Sequence, residues 1–231
     1  MLLTLTDHLT CPSCGPDAGL ILLMEDIDDR RVRTGALGCP VCRARYVVVE
    51  GVADLRASDA GTGAGAGAGV GAGAGAGAGA GVDADARDLA LRMGGLLGLG
   101  EGSGFVLVDG PAGLAVAAEL AGLLPDYEMV VPIPEARRAA ASGAGLSALL
   151  ESGRLPIATR TMQAAAYIGV PDGGRVLELL RVCRPTGRVV VELGGAEDGG
   201  DAALDRIADL LEGAGARVRA RDGSGLVAVV L

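Results

Sequence analysis

Three kinds of patterning divide the chain. The first stretch carries short apolar runs between cysteines, and residues 19–24 (GLILLM) read as a strand. Residues 61–82 alternate Gly and Ala with no amphipathic period. Beyond them, helically spaced apolar positions alternate with short continuous apolar runs. Residues 85–97 place Leu89, Leu91, Met93 and Leu96 as the apolar positions of an amphipathic helix. Residues 105–108 read as a buried strand, followed by the turn Asp109-Gly110-Pro111-Ala112-Gly113 and a helix over 114–124 that Pro125 stops. A second strand covers 129–133 and ends at Pro134; a helix starts over 135–141 and breaks at 142–145. A strand over 164–170, a helix over 175–183 and a Val-rich strand over 188–193 follow, then a helix over 201–211. Residues 217–221 and 226–231 flank Asp222-Gly-Ser-Gly225 as a β-hairpin. Repeated β-then-α units predict an α/β fold: a Rossmann-like, mostly parallel sheet with helices on both faces and a C-terminal β-hairpin.

The Gly-Ala stretch cannot bury a core, and its glycines carry a high ordering entropy. It reads as a flexible linker; a silk-like stack needs many copies. As a random coil its 22 residues span roughly 25 Å r.m.s.. The expected organisation is a small N-terminal module at 1–58, a linker at 59–82 and a larger domain at 83–231.

Composition narrows the chemistry. Apolar residues make up 50% of the chain and charged residues 21%, enough for a core. The net charge of −9 and an aromatic content of 2% argue against nucleic-acid binding and against docking on acidic membranes. The chain has neither Lys nor Asn, and its only His is His8. A lysine Schiff base is thus excluded, as is a histidine base beyond the N-terminus. No signal-peptide pattern or membrane span is evident, so the expected location is the cytoplasm.

Cys11-Pro-Ser-Cys14 and Cys39-Pro-Val-Cys42 form two CxxC knuckles with 24 residues between them. Two intervening residues let one tight turn aim both sulfurs at a common ion, and two such turns complete the tetrahedron that zinc prefers. Redox dithiols are the rival reading, and the paired knuckles count against it. Four cysteines close the coordination shell, so the zinc is structural. His8 then reads as a surface or packing residue, and Cys183, on the apolar side of its helix, as a buried free thiol.

The N-terminal module, over about 1–56, resembles the Trm112 family of small zinc proteins. The resemblance rests on CPSC, CPVC and the run Tyr46-Val-Val-Val-Glu-Gly-Val-Ala-Asp-Leu55, similar to the family's Y-P-I-x-D-G-I-P-x-L signature, with Val47 and Ala53 where Pro is usual. It implies a protein-contact role, because such proteins bind and activate methyltransferases by covering an exposed hydrophobic strand or face. The partner is then a separate protein or the chain's own C-terminal domain.

Residues 85–231 resemble class I S-adenosylmethionine methyltransferases. The match is carried by the run from Val176 to Val191 (VLELLRVCRPTGRVVV), similar to the family's helix, R-P-G-G-R turn and fifth strand. The resemblance implies S-adenosylmethionine as a cofactor, with Gly110 and Gly113 in the turn after the first strand and Glu135 as the carboxylate for the ribose. The chemistry departs from the family. The Gly110-Pro-Ala-Gly113 turn is one residue short, and Pro111 lacks an N–H donor. Pro132 and Pro134 disturb the second strand's end, and Gln163 stands near where an acid is usual. Asp109 reads as a turn or strand cap, and Tyr127 and Tyr167 as packing residues. The expected function is therefore a non-catalytic binding or scaffold protein. The alternative is an active methyltransferase acting on a small molecule or protein, with its activator module fused in cis.

Overall fold

The computed structural model describes residues 1–56, 80–140, 143–151, 153–193 and 200–231. Of the linker expected over 59–82, residues 59–79 lie outside these.

The N-terminal module opens with a 3-10 turn, Leu3–His8, and continues as a meander: β1 (Ile21–Asp28), β2 (Arg31–Gly38), β3 (Arg45–Val49) and β4 (Val52–Asp54). Asp29 and Arg30, both at positive φ, form the two-residue β1–β2 turn. In β3 the side chains alternate strictly, with Tyr46 and Val48 buried and Arg45, Val47 and Val49 exposed, as expected for a sheet with one face on a core.

The C-terminal region begins with α1 (Ala80–Leu97), which starts five residues earlier than the apolar period indicates. There follow β5 (Gly104–Asp109), α2 (Gly113–Leu123), β6 (Tyr127–Ile133), a 3-10 turn (Glu135–Ala140) and β7 (Leu146–Leu150). Then come β8 (Met162–Ile168), α3 (Gly173–Val182), β9 (Cys183–Glu192), α4 (Gly200–Gly213), β10 (Ala216–Arg221) and β11 (Gly225–Val230). Four sequence expectations need correction. The helix expected over 135–141 is the 3-10 turn Glu135–Ala140. The stretch after the Gly/Ser break holds a strand, β7, where none was expected. Pro132 is accommodated inside β6, which is buried along its whole length. Cys183 opens β9 rather than lying on a helix face.

Among the described residues the strands form one 11-stranded sheet in the order β1-β2-β3-β4-β7-β6-β5-β8-β9-β11-β10. From β7 to β9 all pairs are parallel, whereas β11 runs antiparallel between β9 and β10. Strands covered on both faces need no polar alternation, which explains the apolar runs 105–108 in β5 and 129–133 in β6. One face packs against α1 and α2 through Ala90, Met93, Leu97, Val116 and Leu120. The other packs against α3 and α4 through Val176, Leu179, Leu204 and Ile207, in a cluster that continues into Leu5, Leu9, Leu37 and Tyr46 of the N-terminal module.

The module joins the sheet by strand addition. β4 pairs in parallel with β7 through Ala53↔Leu149 and Asp54↔Leu150, and Leu55 N donates to Leu150 O at 2.8 Å. A second backbone seam runs from Thr10 N to Pro156 O (2.9 Å) and from Ala158 N to His8 O (2.8 Å). His8 packs edge-on against Phe105 with ring centroids 4.9 Å apart, so it is a packing residue. The polar anchor is Arg31, whose guanidinium grips both oxygens of buried Glu128 at 3.0 and 2.7 Å. Ser147 Oγ donates to the same carboxylate at 2.6 Å and accepts from Leu2 N at 2.8 Å.

Candidate functional site

The four cysteines of the two knuckles come together, with all four sulfurs within 4.8 Å of one another. Cys11 and Cys42 lie 3.6 Å apart, and Cys14 and Cys39 3.8 Å. A tetrahedral zinc with sulfurs at about 2.3 Å requires sulfur–sulfur edges of about 3.8 Å, so the cluster fits that ion. Cys11 and Cys39 are buried, whereas Cys14 and Cys42 face solvent. Burial works against a Cys39 thiolate, but the backbone N–H groups of Cys42 and Val41 outweigh it and lower its pKa to about 7. Tyr46 was not singled out as a site residue in the sequence. Its hydroxyl lies 3.3 Å from Cys11 Sγ and 3.5 Å from Ser13 Oγ. Its strand alternation marks it only as inward-facing. The fifth cysteine, Cys183, is fully buried, and burial pushes its thiol up to about 12.

The carboxyl ends of the parallel strands enclose a crevice of about 340 Å³. In open α/β sheets this is where ligands bind. Pro111, Pro132, Pro134 and Tyr167 form its apolar walls, and Asp109, Glu151 and Arg175 its charged floor. The floor comes from three elements: Asp109 ends β5, Glu151 follows β7 and Arg175 lies in the first turn of α3. Arg175 Nε is 2.6 Å from Asp109 Oδ2, and one terminal nitrogen is 2.6 Å from Glu151 Oε1. The Asp109 contact is an ion pair without hydrogen-bond alignment, since among the described residues Oδ2 has no aligned donor. Burial raises the pKa of both carboxyls, and Arg175 opposes that rise. Glu151 and Arg175 were absent from the sequence expectations. Glu151 sits just past the end of the unforeseen β7, and Arg175 lies one residue before the Val176–Val191 run, in which nothing marks it.

Of the three residues expected at a cofactor, only Gly110 lines the crevice. Its φ is +97°, and a Cβ there would collide with the Ile168 carbonyl at the end of β8. Gly110→Ala is therefore expected to destabilise the chain by more than about 1 kcal/mol, read as a lowered denaturation midpoint. Gly113 starts α2 behind the crevice, where an added Cβ would lie 3.2 Å from Val108 O. Glu135 stands on the outer rim, 53% exposed, with its carboxylate 2.9 Å from Arg56 and 3.1 Å from Arg138. Arg56 and Asp54, beside it, belong to the N-terminal module, so the module's last residues reach the rim.

No family model matches the sequence, and no curated protein sequence matches it. Solved structures do resemble it. A protein of Methanococcus maripaludis described as a candidate S-adenosyl-L-methionine-dependent methyltransferase superposes with a TM-score of 0.50 at 12% identity, over 64% of this chain and 86% of that one. A chain of the complex between the Haloferax volcanii Trm112 methyltransferase activator and a candidate methyltransferase gives 0.46 at 13% identity, over 65% and 94%. The antibiotic-resistance methyltransferase Kmr gives 0.44 at 16%, over 62% and 93%. At these identities what is shared is the fold, and the chain has a Rossmann-like, methyltransferase-type sheet with a four-cysteine cluster at its N-terminal end.

Proposed function

We propose that this chain is a zinc-binding, Trm112-like module fused to a methyltransferase-like body, and that it works as a binding or scaffold protein rather than as a catalyst. The supporting observation is that the turn after β5 serves packing. Gly110 is fitted against the Ile168 carbonyl, Pro111 has no N–H, and Glu135 is tied to Arg56 and Arg138 outside the crevice. S-adenosylmethionine needs a turn that admits its backbone-side approach, N–H donors and a free carboxylate, and these residues do not fit it. Each lost buried hydrogen bond costs about 0.5–1.5 kcal/mol, so two or three losses weaken binding roughly 10- to 1000-fold.

In this reading the module's contact role is met in cis. β4 covers the outer edge of β7, which would otherwise expose a row of unpaired backbone groups. The cysteine cluster supplies a structural zinc held by Cys11, Cys14, Cys39 and Cys42. Among the described residues no helix is long and apolar enough to cross a membrane.

Titration calorimetry with S-adenosylmethionine tests the reading. The expected result is no binding tighter than about 0.1 mM, following from the losses above. A low-micromolar dissociation constant, abolished by Gly113→Val, would overturn it in favour of an active enzyme with its activator fused in cis.

A further inference from the structure

Arg175 stands where helix electrostatics disfavour it. It is the third residue of α3, and its backbone N–H donates to the capping Asp172 carboxylate at 2.8 Å. The first turn of a helix carries partial positive charge, so a cation there is unfavourable unless something outside the helix holds it. Every nitrogen of this guanidinium is held. Nε faces Asp109 at 2.6 Å, one terminal nitrogen faces Glu151 at 2.6 Å, and the other donates to the Gly153 carbonyl at 3.1 Å. These acceptors come from β5, from the residue after β7 and from the loop beyond it, and only 15% of the Arg175 side chain is exposed. Buried Asp109 and half-buried Glu151 share this single cation, and among the described residues Asp109 Oδ2 and Glu151 Oε2 still lack an aligned donor.

From this arrangement we propose that the crevice floor is a guanidinium-binding site filled in cis by Arg175, and that it accepts a free guanidinium ion once that side chain is removed. The site fixes the start of α3 to the ends of β5 and β7 and occupies the ligand-binding end of the sheet with the chain's own charge. It is independent of the cofactor question: the calorimetry above decides whether an adenosyl cofactor binds, and the test here decides what holds the floor together.

The test is a set of thermal melts on the full-length, zinc-loaded protein. Arg175→Ala is expected to lower the midpoint by roughly 10 °C, because a broken buried pair strands its partners. Methylguanidinium chloride at about 50 mM is expected to raise the midpoint of Arg175→Ala by about 3 °C over equimolar NaCl, for a site of about 10 mM affinity, and to leave wild type unraised. The rescue is lost when Asp109→Asn and Glu151→Gln are added. The deficit of Arg175→Ala also shrinks as the pH falls from neutral toward the ordinary carboxylate range. Without the guanidinium, Asp109 and Glu151 take up protons in the folded state before the unfolded state does, so stability is regained as pH falls. Tyr167, Asp172, Glu178 and Arg154 also face this floor. Burial raises the Glu178 carboxyl but the Arg181 guanidinium outweighs it, so Glu178 runs in the opposite sense, in wild type and variant alike, and burial moves Tyr167 further above the carboxylate range. If Arg175→Ala does not fold, Arg175→Lys carries the test, since it keeps the charge and loses the planar fork; it is expected to melt below wild type. Melting of Arg175→Ala or Arg175→Lys within about 2 °C of wild type would overturn the proposal. So would a methylguanidinium effect no larger than that of NaCl.

Discussion

Stripping the metal, or replacing Cys39 by Ser, is expected to unfold the N-terminal module and to destabilise the rest of the chain with it. The module has only a small core of its own. Its meander presents exposed Ile21, Leu23, Val47 and Val49 on one face, and the other face packs around Tyr46, Leu37 and the two buried cysteines. Structural zinc sites in small modules supply roughly 10–16 kcal/mol of apparent folding energy, which matches or exceeds the 5–15 kcal/mol stability typical of a whole domain. The loss does not stop at the module, because its core is continuous with Leu149, Leu155 and Ile157 of the C-terminal region. The measurement is one zinc per chain by atomic absorption, followed by hydrogen exchange after chelation. The backbone groups of β4 and β7 that pair at Ala53↔Leu149 should exchange freely in the metal-free protein. A Cys39→Ser protein that retains zinc, or a chelated one with the native melting curve, would count against the tetrahedral site.

The second large effect is expected from Glu128→Ala. The Glu128 carboxylate accepts from two nitrogens of Arg31 and from Ser147, and its side chain is only 6% exposed. Removing it leaves Arg31 facing a buried cavity with one remaining acceptor, the Leu146 carbonyl at 3.0 Å. Breaking a buried pair by deleting one partner costs about 3–5 kcal/mol. Arg31 keeps partial access to solvent, which moves the expectation to about 3 kcal/mol, or a midpoint lowered by roughly 6–12 °C. The converse substitution separates docking from general packing. Arg31→Met with Glu128→Leu exchanges the ion pair for apolar groups of similar size and should recover most of the loss. If Glu128→Ala costs less than about 1 kcal/mol, the pair is not the anchor between module and sheet, and the backbone seams alone hold them together.

The sequence by itself determined the elements whose signal is local. Each CxxC knuckle was legible because a short turn fixes its own geometry, and two knuckles of one spacing imply a shared ion, while the β1–β2 pairing is what brings them into one cluster. The helices and central strands were legible because α3 and α4 carry clean amphipathic stripes, while residues 105–108 of β5 and 129–133 of β6 are continuous apolar runs. The hairpin was legible because Asp222 and the glycines after it specify a turn. What failed to show was whatever depends on a distant partner. β7 (LSALL) is a five-residue run no different from a helix fragment until β6 and β4 flank it. Pro132 reads as disturbing its strand's end until the surrounding ladder accommodates it. Glu128, Glu151 and Arg175 are ordinary charges in the sequence. Their partners lie 97 residues away for Arg31–Glu128 and 24 for Arg175–Glu151. Only tertiary structure could decide where they are buried, and hence that two of the chain's carboxylates and one guanidinium occupy the floor where the fold keeps its ligand site. Local propensity is written in neighbouring residues; charge pairing in a core is set by which strand ends the sheet brings together.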